Sequence, residues 1–338
     1  MTTPQPNLPR STHRARRRLA ILLLLVAPLL FARESAAESL LSVLSYNVHG
    51  GPPLFTGDDP GGRVEVIASL ASAYDVVLLQ EDFEYHGVIR RRIQGKVGVA
   101  GNGLAFEPRR LAAKIVLAPA SLFFAHFSPP YGAGLATFVK PALLLAGDVS
   151  REPYGVCDGW LGSDFDCWAS KGYLRVGVRT AEGLAVDVYT THLDAGHGEA
   201  ADAARRRQLR KLASAVERES GDRAVIVGGD FNLAADRPGD GEVMVEFRDR
   251  LNLRDSGAGP ELPFWRNRDY ILYRSGAHAR LSVEQAGEAL EFVDGRHALS
   301  DHPAVYSRFR ISALSGNADD DDAGECRPFA PRPRTVLQ

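Results

Sequence analysis

The chain has 338 residues, 45% of them hydrophobic and 24% charged, with a formal net charge of −2. That balance is globular rather than disordered or fibrous, and the length allows one large domain or two small ones. A chain this close to neutral has no overall positive field that would make nucleic acid an obligatory partner, although a local basic groove stays open.

Arg14, Arg16, Arg17 and Arg18 precede an apolar run from Leu19 to Phe31, followed by the small residues Ser35, Ala36 and Ala37. A positive start, a short apolar stretch and small residues at the cleavage spacing predict a secretory signal over residues 1–37, cut near Ala37. The run is short for a bilayer, which leaves an uncleaved anchor as the alternative. A secreted, periplasmic or extracellular address follows. In an oxidising compartment Cys157 and Cys167, separated by a Gly- and Asp-rich stretch, suit a disulfide closing a small loop; two free buried thiols are the alternative. Cys326 has no evident partner. It lies in an acidic and Pro/Arg-rich tail, residues 313–338, whose composition cannot bury a core.

Between these ends the chain reads as alternating short elements. Leu40–Val48 is strand-like, Arg63–Ala73 carries Val66, Ile67 and Leu70 at helical spacing, and Asp75–Glu81 is a buried strand. Short strands are expected at 102–106, 113–117, 134–140, 172–179 and 184–193, then a helix over 200–219. The apolar run Val225-Ile226-Val227 is a buried strand that stops in Gly228-Gly229-Asp230-Phe231-Asn232. A loop or short helix is expected over 243–251, and further strands near 268–273 and 281–284 and from 300 onward. No repeat and no Pro/Ser-rich linker divides 38 from 311. Many strands and few helices on one continuous stretch favour two packed sheets with helices outside, in a single domain over 38–312.

Several strands end in polar residues. Asp230 and Asn232 flank Phe231, so on an extended backbone both polar groups face one way; an Asx-turn closing the strand is the plainer reading. Gln80-Glu81 alone reads as a solvated edge, Thr191-His192 as a structural histidine, and Ser300-Asp301-His302 before proline as a cap or turn.

In chain order the set is Asn47, Gln80-Glu81, Thr191-His192-Leu193, Gly229-Asp230-Phe231-Asn232, Arg268-Asp269-Tyr270-Ile271 and Ser300-Asp301-His302. This ordered set resembles the endonuclease/exonuclease/phosphatase superfamily, whose best-known member is pancreatic deoxyribonuclease, over nearly all of residues 38–311. The resemblance implies a four-layered α/β sandwich, two packed mixed β-sheets flanked by helices, that hydrolyses phosphate esters with a divalent metal. It implies Glu81 and Asn47 as ligands to Mg²⁺, or to Mn²⁺ or Ca²⁺ in its place, an ion that takes hard oxygen donors. His302 becomes the general base, Asp301 and Asp269 its supporting carboxylates, Asp230 and Asn232 the groups that position water and phosphate, and His192 a donor to the phosphoryl oxygens. Arg205 and its neighbours read as a solvated charged face, with a phosphate contact as the alternative.

Cys157–Gly172, ending Ser170-Lys171-Gly172, is similar to a segment of secreted sphingomyelinase-like members, which implies a sphingomyelin-type phospholipid and a membrane-surface partner. Lys171 and Tyr173 are placed near substrate by that likeness alone. Bacterial sphingomyelinases carry an aromatic hairpin between the Asp-Tyr-Ile and Asp-His motifs. Here residues 272–299 hold only Tyr273 and Phe292, and Phe123, Phe124, Phe127 or Tyr131 would have to replace it. A deoxyribonuclease-like endonuclease and an inositol or sugar phosphatase are the alternatives, with nucleic acid the less favoured partner. A secreted binding module without turnover is the non-enzymatic rival, although such a protein would be expected to have lost one of Glu81, His192, Asp230 or His302. A monomer is expected. No Gly-x-Ser-x-Gly elbow and no His-x-x-x-His zinc pair points to another hydrolase class.

Overall fold

The computed structural model describes residues 38–51, 53–100, 132–158, 167, 169–234, 237, 239–257 and 268–314. The readings for 1–37, for strands at 102–106 and 113–117, for Phe123, Phe124, Phe127 and Tyr131, and for the tail beyond 314 lie outside the described residues.

β1 (Glu38–Asn47) is followed by a single-turn helix α1 (Pro53–Thr56) and by α2 (Pro60–Ala71). Helix α2 begins three residues before the expected Arg63. Asp59 caps it by accepting from the Gly61 N–H, and Pro60 occupies the first turn, where a missing N–H costs nothing. Then come β2 (Val76–Gln80), α3 (His86–Arg92), β3 (Val97–Ala100) and β4 (Ala136–Val139). The middle of the chain supplies β5 (Leu144–Pro153), β6 (Gly172–Arg179), β7 (Ala185–His192), α4 (Glu199–Ser220), β8 (Ala224–Asp230), α5 (Asp240–Leu251), β9 (Arg254–Asp255) and β10 (Asp269–Arg274). The last part adds β11 (Ala279–Glu288), a small hairpin of β12 (Val293–Asp294) and β13 (His297–Ala298), and β14 (Val305–Ala313).

Two six-stranded sheets result, in the orders β11-β14-β1-β2-β4-β3 and β5-β6-β7-β8-β10-β9. Both are mixed: β1–β2 and β7–β8 pair parallel, the others antiparallel. Side-chain alternation then sorts the apolar residues into three layers. Val43, Val76, Leu78, Val186, Val188, Ile226 and Phe309 meet between the sheets. Leu44, Tyr46, Val77 and Leu79 face outward against Val64, Ile67 and Ala68 of α2 and Ile89 of α3. Val225, Val227, Tyr189 and Leu272 face outward against Leu209, Leu212 and Val216 of α4 and Phe247 of α5. Helix–sheet–sheet–helix is the four-layered sandwich. Val225-Ile226-Val227 is uniformly apolar because both faces of β8 are covered.

Candidate active site

The polar strand ends converge because the registers put them side by side. Across the second sheet Gly172 of β6 pairs with His192 of β7, His192 with Asp230 of β8, and Asp230 with Asp269 of β10. On the first sheet Asn47 of β1 pairs with Gln80 of β2 at their carboxyl ends. The strand ends leave regular structure sharply. His49, Glu81 and Asn232 all have positive φ, +46°, +56° and +49°, a conformation non-glycine residues hold only when their surroundings enforce it. Gly229 must be glycine, because a Cβ there would lie 2.0 Å from the Thr191 carbonyl oxygen of the adjacent strand.

His302 Nδ1 and Asp269 Oδ2 are hydrogen-bonded at 2.8 Å, and His302 Nε2 stands 3.6 Å from Asp230 Oδ2. The carboxylate bonded to the ring is therefore the one delivered from β10, not the sequence neighbour. Asp301 is 59% exposed and turns to His49, whose Nδ1 is 3.5 Å from its Oδ1. Burial alone would lower the His302 imidazole. The hydrogen bond the ring donates to Asp269 and the charges of Asp269, Asp230 and Asp301 outweigh it and carry the ring up to about 10. Complete burial likewise raises Asp269, so the two act as one proton-holding pair.

On the other side of Asp230, His192 Nε2 is 3.4 Å from Oδ2 and 2.8 Å from Lys171 Nζ. Asn47 Nδ2 donates to Asp230 Oδ2 at 3.1 Å and to Glu81 Oε1 at 3.0 Å, which brings the two sheets together in one cluster. Burial works to raise Glu81, but the His49 imidazole 3.6 Å away, the charges of His192 and Lys171 and the bond from Asn47 hold it well below the ordinary carboxylate range. With φ at +49° Asn232 leaves the extended conformation, so the Asx-turn and not the shared strand face describes its relation to Asp230. Its backbone N–H donates to Asp230 Oδ1 at 2.9 Å, closing an Asx-turn, while its amide donates to the Leu193 carbonyl and accepts from Arg268.

The donor chemistry fits a hard divalent cation. Glu81, its pKa lowered by its neighbours, offers carboxylate oxygen beside the Asn47 amide. Asp269 Oδ1 is buried with no hydrogen-bond partner among the described residues. Asp230, Asp269 and His302 also hold ligand atoms within 4.8 Å of one another.

Other residues fall elsewhere. Arg205 is fully buried, donating to the carbonyls of Asp194 and Gly196 and pairing with Asp202, so it is neither a solvated charge nor a phosphate contact. It caps the turn after His192 from inside. Tyr173 lies under α4 with its hydroxyl on Glu219, on the outer face of its sheet and away from the cluster. Lys171 is in the cluster. Cys157 and Cys167 are joined in a disulfide, Cα atoms 5.3 Å apart, in the segment leading to Lys171. His49 and Gln80 carry more than their sequence suggested. Gln80 reaches between the sheets to Thr190 Oγ1 at 3.0 Å, and its neighbours Ser45 and Thr190, polar residues inside buried strands, were the available signal.

The model of the Endonuclease/Exonuclease/phosphatase family matches residues 44–302. The chain belongs to that family. A protein of Mycobacterium tuberculosis named sphingomyelinase is 28% identical over 283 residues, covering 78% of this chain and 51% of its own. The chain thus spans about half the length of the curated relatives it matches. Among solved structures, sphingomyelinase C from Streptomyces griseocarneus superposes with a TM-score of 0.54 at 18% identity, over 80% of this chain and 99% of that one. D. rerio TDP2 complexed with single strand DNA product gives 0.54 at 17% identity, over 80% and 99%. At such identities the two structures share the family's fold with this chain, one named for a lipid substrate and the other holding DNA. Among the described residues no helix is long and apolar enough to cross a membrane.

Proposed function

We propose that the protein is a secreted, divalent-metal-dependent phosphodiesterase, using Mg²⁺ and acting on a phospholipid of the sphingomyelin type. The observation that carries the chemistry is the buried Asp269–His302 pair facing Asp230, with Glu81 and Asn47 brought up from the opposite sheet. Glu81 and Asn47 would hold the ion, and its charge would neutralise a phosphate oxygen and offset the carboxylates that raise His302.

The chain's own groups do the rest. With Nε2 deprotonated, His302 takes a proton there from the attacking water while Asp269 fixes the tautomer through Nδ1. Asp230 Oδ2, beside that nitrogen, is placed to accept the water's second hydrogen bond. As the water oxygen bonds to phosphorus and the bond to the leaving alcohol oxygen breaks, His192 and Lys171 offer donors to the phosphoryl oxygens. No covalent enzyme intermediate is needed. The lipid assignment is supported by the likeness to proteins named sphingomyelinase and by the disulfide-bearing segment that ends at Lys171.

The test is purified full-length protein against sphingomyelin vesicles, plasmid DNA and inositol phosphates, with Mg²⁺ or with EDTA. Release of phosphocholine is expected, abolished by EDTA and reduced by at least ~10²-fold in His302→Ala. Nicking of DNA in place of lipid turnover would transfer the substrate to nucleic acid and leave the chemistry standing. Silence on all three substrates would overturn the reading in favour of a binding module.

A further inference from the structure

Arg63 lies on α2, outside every motif of the site, and its side chain is 12% exposed. All five of its N–H groups are aimed at acceptors. Nη1 donates to the carbonyl of Val48 at 2.5 Å and to that of Leu299 at 3.1 Å. Nη2 donates to the carbonyl of His49 at 2.5 Å and to Asp58 Oδ1 at 3.4 Å, and Nε to Asp58 Oδ2 at 2.7 Å. The three carbonyls belong to two loops that have no sequence relation. Val48 and His49 directly follow Asn47, with His49 in the left-handed conformation; Leu299 comes three residues before His302. Ser300 ties the same two loops from the other side, its hydroxyl donating to the Asn47 carbonyl at 2.7 Å.

We infer that Arg63 is a positioning residue for the proposed reaction: it clamps the loop that presents Asn47 to the loop that presents His302, and so sets the distance between the cation ligands and the general base. This rests on the reading of the site given above. The planar five-donor fork is what the arrangement requires. A lysine would supply a charge but could not span three carbonyls and a carboxylate. The role is distinct from holding α2 in place, which Val64, Ile67, Ala68 and Ala71 do by burial.

The test compares Arg63→Lys, Arg63→Ala and Asp58→Asn in the full chain. In metal-free, substrate-free protein, hydrogen exchange should rise in both loops, residues 48–50 and 299–302, for Arg63→Lys, and much less for Asp58→Asn, which keeps the three carbonyl bonds. Groups that orient the ligands of a metal centre typically contribute ~10–100-fold to affinity or rate. Arg63→Lys is therefore expected to lose about that factor in kcat and in calorimetric Mg²⁺ affinity, with KM and the thermal midpoint little changed. Millimolar guanidinium should restore part of the Arg63→Ala activity. Wild-type exchange in both loops of Arg63→Lys, or losses that only track the thermal midpoint, would overturn the inference. An inert wild-type chain whose loops still loosen in Arg63→Lys would instead overturn the assigned reaction and keep the clamp.

Discussion

Asp269 and Asp301 are both carboxylates within reach of His302 in the sequence pattern, and their surroundings separate them. Asp269 is fully buried with one oxygen on the imidazole Nδ1, whereas Asp301 is 59% exposed, where solvent screens its charge. Asp269→Asn is therefore expected to lower kcat by ~10²-fold or more, because the ring loses the anion that fixes and charges it. Asp301→Asn should cost less than about tenfold. Steady-state rates on the substrate found active decide it, and equal losses would mean the buried pair is not the base. Reading Asp301 as a partner of its neighbour came from adjacency. Residues next to each other in a turn diverge, so Asp301 acts on the ring only through its charge. The carboxylate hydrogen-bonded to the ring is Asp269, a residue the family resemblance had also named, on a strand 33 positions earlier.

At the scale of elements, the strand ends were legible because each closes a β-branched or apolar run with a polar residue, and burial on both sheet faces makes such runs conspicuous. Taken singly Asn47, Glu81, His192 and Asp230 were weak signals, and it was the resemblance of the ordered set to the family that singled them out, together with His302, which lies in the loop before β14. β5 was not legible, since its pattern is mostly exposed and its residues Gly-Asp-Val-Ser-Arg-Glu read as loop; only pairing with β6 makes it a strand. Arg63 escaped for a related reason. It is the sole cation in α2, but its acceptors are backbone carbonyls, which no sequence pattern reports. A second hidden fastening joins β1 to β2. Asp75 accepts from the backbone N–H and hydroxyl of Ser42 at 2.8 and 2.7 Å and pairs with Lys140 at 2.5 Å. Burial works to raise this carboxyl, but those partners hold it below the ordinary value of 3.8. A depressed carboxylate stabilises the fold above its unfolded pKa and loses that contribution as pH falls through the folded one. Asp75→Asn should cost about 1–2 kcal/mol at pH 7. The gap to wild type should hold from pH 8 to 5 and narrow below about pH 4 in thermal melts; a gap that widens on acidification would refute it.

The whole molecule is a sandwich whose active edge belongs to both slices. The sheets meet where Gly228 faces Ser45 and Leu78: a Cβ on Gly228 would lie 2.6 Å from Leu78 Cδ1. Gly228→Val is expected to wedge β8 off β1 and β2, costing about 1–3 kcal/mol and carrying Asp230 away from Asn47. Specific activity of the folded fraction should fall with it, while Gly287→Ala, 3.4 Å from the Tyr306 ring at the far edge, should leave activity intact. Full activity in Gly228→Val would show that the site does not depend on the spacing of the sheets. The row Gly172, His192, Asp230, Asp269 has one further consequence. Four neighbouring strands each contribute one residue at matched register, and a slip of a single position in β10 would swing Asp269 out and Tyr270 in. Turnover in a refolded sample is thus a head-count of molecules zipped correctly across that sheet, and a slipped molecule would keep its strand content in circular dichroism while dropping out of the count.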